Sequence, residues 1–178
     1  MSGYLNEINL LYVEDSKSIR EILSRRLERK VNKLIVAVDG EDGYNKYLEY
    51  KPDIILTDIE MPKLNGFELS RKIKSINKDA IIIALSGHTT SSFFIEALES
   101  GIYGYFTKPV DKEKLHYQLE FYAKAIYLEK TTQQNFEHLN ELEPIISYFI
   151  NKETNISFIT KSNKLIFGNN LFLDFFKI

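Results

Sequence analysis

Short runs of apolar residues alternate with longer amphipathic segments along the first two-thirds of the chain. Each run is nearly continuous in apolar residues, which is typical of strands buried on both faces of a parallel sheet. The runs cover residues 8–13, 34–38, 54–57, 81–85 and 103–106. The pattern predicts an α/β fold, in which a doubly wound, five-stranded parallel sheet carries helices on both faces.

The segments between these runs carry apolar residues at helical spacing. This spacing predicts helices that bury one face against the sheet. Ser16 stands before the first of them and is a suitable N-cap residue. The positions expected to face the core are Ile19, Ile22, Leu23 and Leu27 in the first helix, Phe67, Leu69, Ile73 and Ile76 in the third, and Phe94, Ala97 and Leu98 in the fourth. Phe67 and Phe94 are predicted to serve the core only.

A last helix is predicted from about residue 112, and its apolar residues follow four–three spacing. This spacing is typical of a helix that packs along a neighbouring element or a second chain. The residues concerned are Leu115, Leu119, Tyr122 and Ile126. After a polar stretch the apolar pattern resumes, and we expect Pro144 to end the helix because proline has no backbone N–H.

The patterns divide the chain into three predicted parts. Residues 1–128 form the α/β domain, residues 129–144 form a linker helix that continues the last helix of that domain, and residues 145–178 form a different kind of segment. Two helices separated by a turn near Thr131-Thr132 are the alternative to one long helix.

Composition narrows the classes of function. The 178 residues carry a net charge of −2, from 23 basic and 25 acidic side chains, so no overall basic field points to nucleic acid. Cysteine is absent, which excludes disulfides, thiolate zinc sites and cysteine nucleophiles. The N-terminus does not have the pattern of a signal peptide, and the longest apolar runs are far too short for a membrane helix. We therefore expect a cytoplasmic protein that binds neither a membrane nor nucleic acid.

Polar residues gather at the predicted carboxyl ends of the strands, where open parallel sheets place their functional groups. Glu14 and Asp15 follow the first strand, Asp58 the third, Ser86 the fourth and Lys108 the fifth. Carboxylates that lie close together raise one another's pKa, and Mg²⁺, which prefers oxygen ligands, relieves this repulsion. Lys108 adds a compact positive charge suited to a phosphate oxygen. The pattern predicts a site for magnesium and a phosphoryl group.

These residues belong to an ordered set of motifs. The set is Glu14-Asp15, Asp58-Ile-Glu-Met-Pro-Lys-Leu-Asn-Gly66, Ser86-Gly87 and Tyr105-Phe-Thr-Lys108-Pro109. It resembles the bacterial two-component response regulator receiver family, over residues 5 to about 128, which is nearly three-quarters of the chain. The full set in order is specific, whereas each piece alone is weak. The resemblance implies a flavodoxin-like receiver fold and a phospho-accepting role in a phosphorelay.

The resemblance also implies roles for individual residues. Asp58 is the implied phospho-acceptor, a sensor histidine kinase is the implied partner, and Mg²⁺ is the implied cofactor. The implied metal ligands are Asp15, Asp58 and the backbone carbonyl of Glu60, with Glu14 acting mainly through water. The other implied roles are contacts to phosphoryl oxygens for Ser86 and Lys108, room for the phosphoryl group at Gly87, the switch aromatic at Tyr105, and a cis peptide bond between Lys108 and Pro109.

Three further residues are candidates for chemistry. Glu60 and His88 occupy positions that tune the lifetime of the phosphate in receivers, although solvated loop side chains without effect remain the alternative. His138 invites a kinase interpretation, but Leu139 follows it where a kinase phospho-acceptor histidine has an acidic residue. We interpret His138 as an ordinary residue of the linker helix.

Three functions compete for residues 1–128. The first is a phospho-accepting module, which is not an enzyme beyond slow loss of its own phosphate. The second is a magnesium-dependent hydrolase or phosphotransferase, although phosphatases of that class usually have aspartate where Glu60 stands. The third is a pseudo-receiver scaffold, which is disfavoured because every acidic, acceptor and lysine position is filled.

The resemblance also predicts interaction surfaces. Kinase contacts are expected on the first helix and its neighbouring loops, at Ser18, Ile19, Ile22 and Pro109. A homodimer is expected through helix four, strand five and helix five, through the Leu115–Ile126 seam, or through the linker helix. The alternative for the natural protein is a larger signalling enzyme, a hybrid histidine kinase or diguanylate cyclase, of which this chain is the N-terminal part.

The last segment has a pattern of its own. Residues 156–160 and 165–168 read as two strands joined by a turn, and Asn169-Asn170 then precede a short helix with paired aromatic residues. Residues 145–178 are in this respect similar to the opening of a PAS sensor domain, of which we expect only the first part here. A helical hairpin that folds back on the first domain is the alternative.

Overall fold

Five parallel strands form the central sheet of the computed structural model, which describes residues 3–88, 90–150, 158–161 and 164–168. The strand order is β2-β1-β3-β4-β5, and every neighbouring pair is parallel. The strands are β1 (Asn9–Val13), β2 (Lys33–Ala37), β3 (Ile54–Asp58), β4 (Ile81–Ser86) and β5 (Gly104–Thr107). The predicted five-stranded, flavodoxin-like parallel sheet is therefore confirmed.

A helix precedes or follows each strand. A short 3-10 helix (Tyr4–Glu7) comes before β1, and the α-helices are α1 (Lys17–Leu27), α2 (Gly40–Tyr50), α3 (Gly66–Ile76), α4 (Ser91–Glu99) and α5 (Lys112–Ile150). Helices α1 and α5 contribute to the core on one face of the sheet, and α2, α3 and α4 to the core on the other face. All five residues of β3 are buried, because both faces of this central strand are covered.

Polar residues fix the starts of several helices. Asn65 caps α3 with a capping box, in which its side chain accepts from the backbone N–H of Glu68 and the Glu68 carboxylate accepts from the N–H of Asn65. Asp39 caps α2 by accepting from the N–H of Asp42 at 2.9 Å. Ser16 occupies the predicted N-cap position of α1, but its side chain makes no capping hydrogen bond.

Several residues predicted to face the core are exposed instead. Ile22 keeps 62% of its accessible surface and Leu98 keeps 75%, so these predictions were wrong. The other exposed members of the predicted core set are Ile19, Ile76 and Phe94. A helix of 9 to 11 residues buries only a narrow stripe of its surface against the sheet, and the residues at the margin of that stripe remain in solvent. In α4 the ring that turns toward the core is that of Phe93, which packs on Phe67 at 5.9 Å between centroids.

The four–three seam at the start of α5 packs on the chain's own sheet. Leu115 is 3% exposed and Leu119 is 1% exposed, and both belong to the core formed with β1, β3 and β4. Tyr122 and Ile126 are partly buried against the same core. Intramolecular packing therefore already uses Leu115 and Leu119, and dimerisation through this seam stays a prediction.

Helix α5 is longer than predicted. It runs without interruption through Thr131 and Pro144 to Ile150, so there is no turn near Thr131-Thr132 and the proline does not end the helix. Proline removes one backbone donor at a cost of about 3 kcal/mol, but its fixed φ near −65° is itself helical, so a helix can continue through it. Within the described residues, no helix is long and apolar enough to cross a membrane.

The chain divides into two compact units, residues 1–128 and 129–178. The second unit contains the end of α5 and an antiparallel pair of strands, β6 (Phe158–Lys161) and β7 (Lys164–Gly168). These strands overlap the predicted ones, whose residues 156–157 lie outside the described residues, and their pairing has a register shift at Ile159–Thr160. The predicted helix after Asn169-Asn170 lies outside the described residues.

Candidate functional site

The polar residues singled out in the sequence meet at the carboxyl end of the sheet. Glu14 and Asp15 follow β1 directly, Asp58 is the last residue of β3, and Lys108 follows β5. Strands β1 and β3 are neighbours, while the chain passes from β1 to β2 on the opposite side. This reversal of strand order is where open α/β sheets bind ligands, because it opens a crevice between the loops.

One ammonium group joins two buried carboxylates in this crevice. The Nζ atom of Lys108 donates to Asp58 Oδ2 at 2.7 Å and to Glu14 Oε2 at 2.9 Å. Glu14 is fully buried and Asp58 is only 6% exposed. Buried charges persist only when they are paired and hydrogen-bonded, so Lys108 stabilises both carboxylates. The peptide bond between Lys108 and Pro109 is cis, as predicted.

Burial and repulsion perturb the groups around Glu14. Burial raises the pKa of the Glu14 carboxyl, and the charge of Asp58 adds to the increase, although the hydrogen bond from Lys108 opposes both. Burial alone would lower the pKa of Lys108, but its hydrogen bonds to Asp58 and Glu14 raise it overall. Burial also raises the pKa of Tyr12, whose hydroxyl donates to Glu14 Oε2 at 3.4 Å. The lysine thus stays charged beside two acidic groups.

Three carboxylates at this rim offer the ligands that a metal ion needs. Oxygen atoms of Glu14, Asp15 and Asp58 all lie within 4.8 Å of one another. Glu14 Oε1 is buried and has no hydrogen-bond partner, which leaves an acceptor available inside the cluster. An all-oxygen, carboxylate-rich set with solvent on one side suits Mg²⁺, which keeps several waters. The residues present therefore fit the predicted cofactor.

The backbone around Asp58 holds its side chain in place. Asp58 Oδ1 accepts from the N–H of Ile59 at 2.8 Å, which fixes one oxygen while Lys108 holds the other. The chain after Asp58 bends so closely that a Cβ atom at Gly66 would collide with the carbonyl oxygen of Asp58. Glycine, which has no Cβ, is thus the residue type that lets α3 begin at position 66 so close to Asp58.

A second network connects β4, α4 and β5 beside this crevice. Ser86 is fully buried, and its Oγ accepts from the N–H of His88 at 3.1 Å. The hydroxyl of Tyr105 donates to the carbonyl of His88 at 2.9 Å. The half-buried ring of Tyr105 packs on Phe94, with 4.6 Å between centroids. The hydroxyl of Ser86 and the ring of Tyr105 are therefore connected through one residue of the β4–α4 loop.

His88 also bridges the mouth of the site. Its Nε2 lies 2.8 Å from Glu60 Oε1, and its ring stacks on Phe93 with 4.1 Å between centroids. The bridge links the β3–α3 loop to the β4–α4 loop. A Cβ at Gly87 would have only Glu60 Oε2 within 4 Å, so the space beside this bridge is open. These two exposed side chains are thus paired with each other.

The sequence did not single out two residues of the site. Arg20 donates to the carbonyl oxygens of Glu14 and Asp15, at 2.6 and 2.8 Å, and so fixes the loop that carries both acids. Tyr12 lies inside β1, and an aromatic residue in a buried strand is interpreted from the sequence as part of the core only. An arginine one helical turn into α1 looks like a solvated surface residue, and no pattern in the sequence distinguishes it from its neighbours.

Comparison with known proteins is consistent with this geometry. The family model for the response regulator receiver domain matches residues 10–120. The transcriptional regulatory protein DegU of Brevibacillus brevis is 36% identical over 113 residues, which are 62% of this chain and 48% of that protein. The chain spans about half the length of the curated relatives it matches.

Solved structures share this fold over about two-thirds of the chain. The N-terminal domain of an uncharacterized protein from Wolinella succinogenes is 34% identical with a TM-score of 0.64, over 69% of this chain and 98% of that one. The chemotaxis protein CheY4 of Vibrio cholerae is 30% identical with a TM-score of 0.59, over 63% of this chain and 95% of that one.

Proposed function

Because the chain belongs to the response regulator receiver family, we propose that Asp58 accepts a phosphoryl group from a sensor histidine kinase. The observation that carries this proposal is the pair of bonds from Lys108 Nζ to Asp58 and Glu14. A carboxylate held at a strand end beside a fixed cation and two further acids has the charge arrangement that phosphoryl transfer requires.

The chemistry follows from these contacts. An oxygen of Asp58 attacks the phosphorus of a phosphohistidine, so that an O–P bond forms while the N–P bond breaks and imidazole leaves. Lys108 then has a phosphoryl oxygen to pair with in place of Asp58 Oδ2. Mg²⁺ would supply charge neutralisation for the phosphoryl oxygens, and Asp15, Asp58 and the Glu60 carbonyl would hold it, with Glu14 acting mainly through water.

The same proposal includes a conformational switch. Ser86 and Tyr105 connect through His88, so a Ser86 hydroxyl drawn toward a phosphoryl oxygen pulls on the loop to which Tyr105 is bonded. Glu60 and His88 bridge the mouth of the site, and this supports a role for them in the lifetime of the phosphate. The switched surface is formed by α4, β5 and the start of α5.

That surface is also the face through which we propose dimerisation or contact with a downstream partner. It exposes large apolar side chains, which remain in water unless a partner covers them. Such exposure is typical of interaction sites. Tyr117 keeps 75% of its accessible surface. The other exposed members are Ile95, Leu98, Tyr103 and Phe121.

The output of the protein is a separate proposal. We infer that the segment after α5 is PAS-like and that α5 connects it to the receiver. The antiparallel pair β6–β7 and the uninterrupted helix α5 support this proposal. Any phosphate turnover by the receiver itself is slow, at one phosphate per chain per cycle.

Treatment with acetyl phosphate and Mg²⁺ tests the proposal. Intact mass should increase by one phosphate in the parent protein and in Asp79→Asn, which removes an exposed carboxylate remote from the site. The mass should not change in Asp58→Asn. A full phosphate on Asp58→Asn would contradict the assignment, and sustained multiple turnover of acetyl phosphate would favour the hydrolase.

A further inference from the structure

Helices α1 and α5 lie on the same face of the sheet and leave a groove between them, which we call the α1–α5 groove. Its volume is about 610 Å³, within the usual range for small-molecule sites. The walls include Ile22, Leu23 and Leu115, and the floor reaches Leu27 and Leu119, which are almost fully buried. The groove is therefore recessed and apolar.

The rim of the groove is strongly cationic. It carries five basic side chains, all exposed: Arg25, Arg26, Arg29, Lys30 and Lys112. No acidic residue lines the groove, and none of these five cations forms an ion pair with another described residue. The chain as a whole has a net charge of −2, so this local excess of positive charge is a particular feature of the groove.

A buried polar atom lies in the same wall. His116 lines the groove, and its Nδ1 is inaccessible to solvent and has no hydrogen-bond partner. Buried ring nitrogens are normally paired, so an unpaired one beside a cavity indicates a missing ligand group or a bound water. The imidazole thus lies in the wall of the groove, and a turn of its ring would bring Nδ1 to a group that enters.

We propose that the α1–α5 groove binds a small soluble carboxylate with an acyl chain. The acyl chain would lie against Leu23 and Leu115, the carboxylate would pair with the cations of the rim, and His116 would bond to the carboxyl end. A recessed cleft with almost fully buried floor residues accommodates a single chain, whereas a bilayer surface would require a flat or protruding apolar face.

This site would regulate the receiver, an inference that rests on the proposed function. Ile19, Ile22 and Pro109 line the groove and also belong to the surface on which we expect the kinase to dock. Lys108 lies at the end of the groove nearest the phosphorylation site. A bound acyl carboxylate would occupy part of the kinase surface and would slow phosphotransfer from the kinase.

Binding can be measured directly on the 178-residue chain with decanoate below its micelle concentration. The chain has only three histidines, so the ring resonances of His116 can be followed by NMR, with His88 as an internal reference at the phosphorylation site. We expect saturable shifts at His116 with little change at His88. Arg26→Gln combined with Lys112→Gln should weaken binding at least about fivefold, and added salt should weaken it further.

The controls separate this site from general hydrophobic binding. Lys78→Gln removes an exposed charge remote from the groove and should leave the affinity unchanged. Decyltrimethylammonium has the same chain length and the opposite charge, and it should bind much more weakly. Equal binding of both surfactants, an unmoved His116, or equally strong binding to phosphatidylglycerol vesicles would overturn the proposal.

Failure of this proposal can be told apart from failure of the proposed function. Decanoate should bind Asp58→Asn as well as it binds the parent protein, because the groove does not include that residue. Decanoate should also leave labelling by acetyl phosphate unchanged, since the small donor needs no docking surface. A protein that binds decanoate but is not labelled by acetyl phosphate would refute the phosphorylation site and leave the groove intact.

Discussion

The hydroxyl of Tyr105 donates to the carbonyl oxygen of His88 at 2.9 Å, and this bond joins β5 to the loop that follows β4. The N–H of the same histidine donates to Ser86 Oγ, so two bonds in series connect the tyrosine to the buried serine. A displacement of Ser86 can therefore reach the exposed face of α4 and β5 through residues that are in contact.

The first prediction concerns this connection. Beryllofluoride, which mimics a phosphoryl group, should shift the resonances of residues 86–110 in the parent protein as a population shift between two states. In Tyr105→Phe the shifts in α4 and β5 should become smaller, because the bond to His88 is lost, while those next to Asp58 persist.

Tyr103→Phe is the matched control. Tyr103 is half-exposed and lies two positions before Tyr105, and the substitution likewise removes only a hydroxyl. It should leave the response intact. If shifts in the parent protein stay confined to the neighbours of Asp58, or if Tyr105→Phe responds like the parent, the switch does not use this bond.

The second prediction concerns magnesium. Asp15→Asn should weaken Mg²⁺ binding by at least about tenfold, because the site has few protein ligands and this one is the most exposed of the three carboxylates. The chain has no tryptophan and 11 tyrosines, and Tyr12 is bonded to Glu14, so tyrosine fluorescence reports on the titration. Glu21→Gln removes an exposed charge from α1 and should bind Mg²⁺ normally. Unchanged affinity in Asp15→Asn would place the ion elsewhere.

The third prediction concerns the stability of α2. Asp39 is buried, caps the helix through the N–H of Asp42 and pairs with Lys63 at 2.6 Å. Asp39→Ala should lower the free energy of unfolding by about 1–2 kcal/mol, because the cap is lost. Asp39→Asn keeps a capping side chain and should cost less. Urea denaturation of both variants, with Glu28→Ala as an exposed control, measures the difference.

The same residue predicts a dependence on pH. The N–H of Asp42 and then the ammonium of Lys63 lower the pKa of Asp39 in the folded protein. A lowered folded pKa means that the stabilisation is complete above the unfolded value of about 3.9 and is lost as the pH falls through the folded value. The stability difference between the parent and Asp39→Asn should therefore be constant from pH 7 to 5 and should shrink below about pH 4. A constant difference down to pH 2 would contradict the ion-pair contribution.

The fourth prediction concerns β6 and β7. A two-stranded hairpin is marginal in water, so the amides of residues 158–161 and 164–168 should exchange much faster than those of β1 and β3. Hydrogen exchange followed by mass spectrometry, on protein shown to be monomeric by sedimentation, measures this. Core-like protection of the hairpin in a monomer would mean that it completes the first domain and does not begin another.

Much of the fold could be predicted because the strands are buried on both faces and leave a continuous apolar signature. The acidic cluster and Lys108 could be predicted because parallel strands bring their carboxyl ends to one edge of the sheet. It was harder to predict which face of each helix packs on the core. The spacing of Phe93 and Phe94 fits either ring to the core, and only the packing of α4 on Phe67 decides for Phe93. Likewise Leu115 and Leu119 carry the same pattern whether their neighbour is a second chain or their own sheet.

Some contacts left no sequence signal. The bond from Lys108 to Glu14 joins residues separated by 94 positions, and Arg20 reaches two carbonyl oxygens whose position depends on a loop conformation. Pro144 shows the opposite problem, since a strong local signal for a helix end is overridden by the helical residues on both sides.

The reach of Lys108 across the sheet has a consequence for synthesis on the ribosome. Glu14 and Asp58 come to lie side by side as soon as β1 and β3 pair, yet their common cation is supplied only when β5 has docked at the edge of the sheet. A nascent chain that ends before residue 108 would have to bury two carboxylates without their lysine counterion, which costs several kcal/mol per charge unless a bound cation replaces it. Docking of the last strand is thus coupled to neutralisation of the site, so the acidic crevice disfavours a receiver that lacks β5.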